Sequence, residues 1–129
     1  MASLAELARL RTDVDGQQLA HLQRLVGTWG LLADFCFADL LLYAPVRGDD
    51  ESFIILGQIR PATTQTVYRS DWVGTVVTAE ERPLVANSFR SGEIVEATVE
   101  ITGLKEQVRV LAIPVRWNGE VIGVATRES

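Results

Sequence analysis

Apolar residues change their spacing along the chain. From Leu4 to about Phe35 they recur every three or four positions, whereas beyond Phe37 they mostly alternate or form short continuous runs, with one helical interruption at 83–89. The first spacing predicts helices and the second strands. The sharpest local signal is residues 107–127, QVRVLAIPVRWNGEVIGVATR, where two apolar runs flank Asn118-Gly119. Both central residues of a type I′ turn need φ > 0, and Asn-Gly meets that need at the lowest steric cost, so a β-hairpin is predicted. Leu111, Ile113 and Val115 are expected on one face of its first arm, with Val110, Ala112 and Pro114 on the other. On the second arm Val121, Gly123 and Ala125 alternate with Ile122, Val124 and Thr126. Both faces are largely apolar, which places the hairpin in the middle of a sheet that is covered at least partly on both sides. Pro114 lacks an N–H and belongs at a bulge or where the ladder opens.

Upstream, Ser3 and Glu6 form a capping box that opens a short helix striped by Leu4, Leu7, Ala8 and Leu10. Asp13 to Gly16 break it, and either Asp can cap a second helix predicted over 16–35. Leu19, Leu22, Val26, Trp29 and Ala33 form its buried stripe, widened by Leu25 and Leu32. Gly27 and Gly30 each cost such a helix about 1 kcal/mol against Ala. Their presence implies close approach by another backbone, either this chain's sheet or a second subunit. Strands are predicted at 37–46 and 53–60 around a polar turn at 47–51. In the second, Phe53, Ile55, Gly57 and Ile59 should share one face; Ile54, Leu56, Gln58 and Arg60 share the other, which turns polar towards its end. A loop at 61–65, a short strand at 66–69 and an apolar stretch of no clear period at 72–77 follow. Thr78 and Glu81 make a second capping box, but Pro83 would fall inside a helix starting there. One turn is therefore expected, then a helix over 83–89 with Pro at its first position, Leu84, Val85 and Phe89 inward, and Gly92 as its cap. A strand at 94–101 leads through a turn into the hairpin. The order predicts an α+β fold, a central antiparallel β-sheet of five to six strands flanked by helices.

Size and composition narrow the function. The 129 residues suit one domain with a real core. A net charge of −5 argues against nucleic-acid binding, which needs a basic face. The single Cys allows no internal disulfide and fits a reducing cytoplasm. No apolar run reaches the roughly 18 residues of a membrane span, and charged residues interrupt the N-terminus where a signal core would lie. One Cys and one His without ligand spacing suggest no metal site. His21 is expected at the edge of the long helix. Cys36, between Phe35 and Phe37 with no cation beside it in sequence, reads as a small core residue rather than a redox thiol. There is no Gly-x-Ser-x-Gly elbow, no visible nucleophile–base pair and no phosphate-binding Gly-rich loop, so no catalytic site is predicted and no cofactor is evident. The acidic groups at 49–51 and 80–81 fit a turn and a helix start.

One constellation remains. Gln58, Arg60, Thr63, Thr64, Thr66, Tyr68, Asp71 and Trp72 follow a strand whose face turns polar. Arg offers a fork for a carboxylate or phosphate, Thr hydroxyls add donors, and Tyr or Trp can stack on a flat ring. Asn87 would sit on the helix roofing such a pocket. The competing structural reading is an Arg60–Asp71 ion pair that anchors a loop.

Five segments, LLADFCFADLLLY (31–43), QIRPATTQTV (58–67), DWVGTVV (71–77), RPLVANSFRSG (82–92) and the terminal Val-Ala-Thr-Arg, cover nearly the whole chain in order. Together with the VIGV arm of the hairpin they resemble the N-terminal GAF-like sensor domain of actinobacterial cytoplasmic histidine kinases. The resemblance implies a GAF/PAS-like sheet and a regulatory role in a two-component system, with an unidentified small-molecule ligand bound between sheet and connecting segments. It further implies a homodimer, downstream PAS and kinase modules in the parent chain, and a response regulator that is an RNA-binding antiterminator. No phospho-acceptor His motif followed by ATP-binding boxes is present here, so the kinase module is expected outside this stretch, which reads as one domain of a longer protein. The alternative is a ligand-free dimerisation module using the exposed side of the helix at 16–35.

Overall fold

At the hairpin turn, φ is 52° at Asn118 and 81° at Gly119, as an Asn-Gly turn requires. The computed structural model describes residues 3–29, 33, 38–60, 71–100 and 107–129. Helices α1 (Leu4–Arg11) and α2 (Gly16–Gly27) precede strands β1 (Asp39–Val46), β2 (Asp49–Ile59) and β3 (Val76–Thr78). Helix α3 (Pro83–Ser91) and strands β4 (Val95–Glu100), β5 (Gln107–Trp117) and β6 (Glu120–Glu128) complete the order. The six strands form one antiparallel sheet in the order β3-β2-β1-β6-β5-β4. Both arms of the hairpin are thus interior. Pro114 lies beyond the last β4 pair, Val95↔Ala112, and beside a register slip between Val115 and Arg116, so its missing N–H costs the β4 ladder nothing.

Helices cover both faces. α1 and α2 bring Ala8, Leu19 and Leu22 onto Leu40, Leu42, Ala44, Ile54, Leu56 and Ile122. On the opposite face α3 sets Val85 and Ala86 against Leu41, Tyr43, Phe53, Ile55, Val110, Ala112 and Val124. β1 runs between the two cores, which is why residues 39–44 are all buried.

Two bulges redistribute the faces that strict alternation predicts. β1 pairs Leu42 with Gly57 but Tyr43 with Ile55, so β2 carries one extra residue there. Past that point the parity inverts. Gly57 and Ile59 join Ile54 and Leu56 on the α2 side, with the Val26 side chain seated over Gly57, where an added Cβ would lie 3.2 Å from it. Gln58 crosses to the α3 side. β6 does the same where Val115 pairs with Gly123 and Arg116 with Val121, so Ile122 packs on the α2 side while Val124 lies on the α3 side.

Local chemistry sets the helix ends. Ser3 Oγ accepts from the Glu6 N–H at 3.2 Å. At the second capping box Thr78 Oγ1 accepts from the Glu81 N–H and Glu81 Oε1 accepts from the Thr78 N–H, yet the chain makes only a turn before Pro83 starts α3. Gly92 closes α3 at φ 71°. The helix expected over 16–35 is broken rather than continuous. α2 stops at Gly27, where the Thr28 N–H and Oγ1–H both turn back to the Leu25 carbonyl, while Trp29 and Ala33 are again helical and buried in the same core, as the stripe predicts. An added Cβ on Gly27 would meet nothing within 4 Å, so it marks no close approach within the described chain; Gly57 does instead. Residues 49–51, expected in a turn, begin β2, because Arg47-Gly48 alone reverses the chain with Gly48 at φ 78°. The strand predicted at 66–69, Gly30 and Cys36 lie outside the described residues.

Candidate functional site

Between the start of α3 and the sheet lies a cavity of about 170 Å³. The sheet supplies Tyr43 from β1, Val99 and Glu100 from β4, Val110 from β5 and Glu128 from β6. The turn and first helical residues supply Glu80, Glu81, Arg82, Pro83, Leu84 and Val85. Pro83 fixes where the helix begins, and Arg82 becomes its N-cap residue, at φ −131° and ψ 67°. That position carries the Arg82 side chain inward, to 6% exposure.

The polar groups here differ in how they are satisfied. Tyr43 and Glu128 are buried to 0% and 1% exposure. The Tyr43 hydroxyl donates to Glu128 Oε2 at 3.0 Å, and the Thr126 hydroxyl donates to the same oxygen. Burial first, then the negative charge of Glu128, hold the Tyr43 hydroxyl far above its ordinary pKa; the Arg82 cation opposes this and loses. Tyr43 is therefore a fixed donor. The Arg82 guanidinium donates through Nη1 to the Glu81 carbonyl at 3.2 Å and lies 5.6 Å from the centre of the Trp72 ring. Its Nε and Nη2 make no well-formed hydrogen bond, although the guanidinium is close enough to the Tyr43 hydroxyl to act on it as a donor, and a buried donor left without a good partner costs about 1–3 kcal/mol.

The residues singled out in the sequence distribute unevenly around this cavity. Trp72 borders it through Arg82, and its backbone N–H donates to Gln58 Oε1 at 2.7 Å. Gln58 thus positions Trp72 from the sheet side to which the β2 bulge turned it. Arg60 is exposed and makes no ion pair among the described residues. Asp71 accepts from the Val73 N–H at 2.9 Å, so the Arg60–Asp71 pair is not formed. Asn87 faces solvent on the outer side of α3. Thr63, Thr64, Thr66 and Tyr68 lie outside the described residues. His21 is half-buried, its ring 5.1 Å from that of Trp117. Among the described residues no three His, Cys, Asp or Glu side chains are placed to hold a metal, and no helix is long and apolar enough to cross a membrane.

Sequence reasoning missed Tyr43, Arg82 and Glu128. The signals were present but weak. Tyr43 is a hydroxyl inside an otherwise apolar strand. Thr126 and Glu128 continue the alternation of Val124 with polar groups on a covered face. Arg82 directly precedes the Pro that starts a helix.

Comparison with known proteins agrees with this architecture. Residues 4–129 match the family model described as "Histidine kinase PdtaS, GAF domain". Sensor histidine kinase PdtaS of Mycobacterium tuberculosis strain H37Rv is 39% identical over 132 residues, covering 98% of this chain. Its counterpart in Mycolicibacterium smegmatis is 35% identical and covers all of it. The chain spans 26% of the length of each of these relatives. Among solved structures, the sensor region of a sensor histidine kinase superposes with a TM-score of 0.76 at 36% identity, over 98% of this chain and 42% of that one. The GAF domain of an Acinetobacter phosphoenolpyruvate-protein phosphotransferase shares the fold, with a TM-score of 0.55 at 15% identity over 89% of this chain and 78% of that one.

Proposed function

The chain belongs to the GAF-domain family of the histidine kinase PdtaS, and on that premise we propose that the cavity beneath α3 is where this sensor domain receives its signal. The observation that carries the reading is Arg82: a buried cation with two nitrogens that make no well-formed hydrogen bond lines the same cavity as Glu128, close to the end of β6. An occupant that satisfied Arg82 would favour one placement of α3 against the sheet. Only such a difference in affinity between two states can shift their populations. Through Glu128 the shift would reach the C-terminal strand, and through it the PAS and kinase modules of a longer parent chain. In this reading the parent is a cytoplasmic homodimer that phosphorylates a response regulator. The exposed side of α2, where Gly27 leaves open space, is a dimer surface consistent with it.

Gln58 and Trp72 support the site by holding the aromatic face against Arg82. Arg60, Thr64, Thr66, Tyr68 and Asp71 belong to the segments flanking them and are proposed as its outer margin; Asn87 is proposed only as a peripheral contact. A ligand-free dimerisation module calls for a polar pocket closed by its own hydrogen bonds, and Arg82 leaves this one unclosed.

The test is the autophosphorylation rate of the full-length kinase carrying Arg82→Met or Glu128→Gln. A coupling of about 1 kcal/mol corresponds to roughly a fivefold change, and a change of that order in either direction is expected. Rates indistinguishable from wild type for both variants would contradict the reading.

A further inference from the structure

We propose that the cavity takes a small organic monocarboxylate with a short apolar body, its carboxylate held by the fork of Arg82. The inference rests on the cavity being the input site and specifies its ligand. Nε and one terminal nitrogen of a guanidinium form the edge that matches a carboxylate bidentately, and at Arg82 the atoms without a well-formed hydrogen bond are Nε and Nη2. Leu84, Val85, Val99 and Val110 give the ligand's body an apolar wall. The remaining charges limit the class further. Among the described residues, Glu80, Glu81, Glu100 and Glu128 line the same space as Arg82. A phosphate dianion would meet these carboxylates with Arg82 as the one cation among the described lining residues. The Tyr43 hydroxyl is not a free donor for the anion, since it is committed to Glu128.

These two nitrogens expose less than 1 Å² each. A carboxylate reaches them only with a local rearrangement around Arg82, which stands at the N-cap of α3. Occupancy is thereby tied to movement at the start of α3, which is what a sensor needs.

The probe is 4-methylpentanoate, titrated into the chain while following the Arg82 Nε–H resonance and the methyl resonances of Val85 and Val110. Saturable shifts of all three are expected. Arg82→Met should weaken binding by about 10- to 100-fold, since hydrogen bonds to a charged group are lost. Arg82→Lys, which keeps the charge without the fork, should lie between. 4-Methylpentan-1-amine and inorganic phosphate should leave the Arg82 resonance in place. If the amine or phosphate shifts the valine methyls while the carboxylate does not, the ligand class is wrong and the input site stands. If no probe moves either reporter, the inference fails. The kinase rates of the Arg82 and Glu128 variants then decide separately whether the input site fails too.

Discussion

The two faces of the sheet are built to different rules. Beneath α1 and α2 the core is apolar, and polar contacts among the described residues are confined to the C-terminal end of α1, where Thr12 is buried and Arg47 donates to the carbonyls of Arg9, Arg11 and Thr12. Ala8, Leu22, Leu42, Ala44 and Ile54 are all 0% exposed, and the Val26 side chain packs directly over Gly57. Beneath α3 the core contains a tyrosine, a carboxylate and an arginine together with a cavity, and part of the arginine's hydrogen-bonding capacity is unused. One sheet can carry both because β1, buried on both sides, separates them. On the proposed reading the first face is scaffold and the second responds. Apolar contacts lose energy smoothly with any displacement, whereas a buried donor without a partner makes the closed state costly and a filled one favourable.

Substitutions can break this contrast. The largest effect belongs to the closed face. Leu22→Ala should cost about 2–5 kcal/mol in urea unfolding, because rigid surroundings leave a cavity behind. A loss below about 1 kcal/mol would mean that this face is as loosely packed as the other.

Next is Tyr43→Phe, which strips the Glu128 carboxylate of a buried donor and should cost about 1.5–3 kcal/mol. It also carries a pH signature. The folded-state pKa of Tyr43 is raised, so its contribution is complete below the unfolded value of about 10 and is lost as pH rises beyond it, where the unfolded chain ionises first. Wild type should therefore lose stability between pH 9 and 11 more steeply than Tyr43→Phe. Parallel profiles would show that the hydroxyl is not held neutral.

The smallest effect is Arg60→Ala. Exposed and without an ion pair among the described residues, Arg60 should change stability by no more than about 0.5 kcal/mol. A larger loss would restore a loop-anchoring role.

What was legible in the sequence is what is decided within a few residues. The Asn118-Gly119 turn, the Thr78–Glu81 box, Pro83 at the first position of α3 and the Gly92 cap each depend on the conformational limits of one or two side chains. The α+β class followed from the order of those elements. The faces of β2 and β6 were not legible beyond Leu56 and Ile122, because a bulge is fixed by pairing with a distant strand, and one inserted residue inverts every later side chain. The residues that meet at the cavity stayed hidden for the same reason. Tyr43, Arg82 and Glu128 are spread over 85 residues between Tyr43 and Glu128 and meet only through the β1–β6 pairing and the placement of α3. Arg60, the most conspicuous cation in the sequence, is at the surface.

The central claim is that Arg82 is held in the interior without full satisfaction. Urea unfolding of Arg82→Met, with no ligand added, tests it most directly. Removing a buried, incompletely paired charge in favour of an apolar chain of similar length should leave stability unchanged or raise it by about 1 kcal/mol. A fall of 3 kcal/mol or more, at about the cost of breaking a satisfied buried pair, would contradict the claim and make Arg82 part of the scaffold.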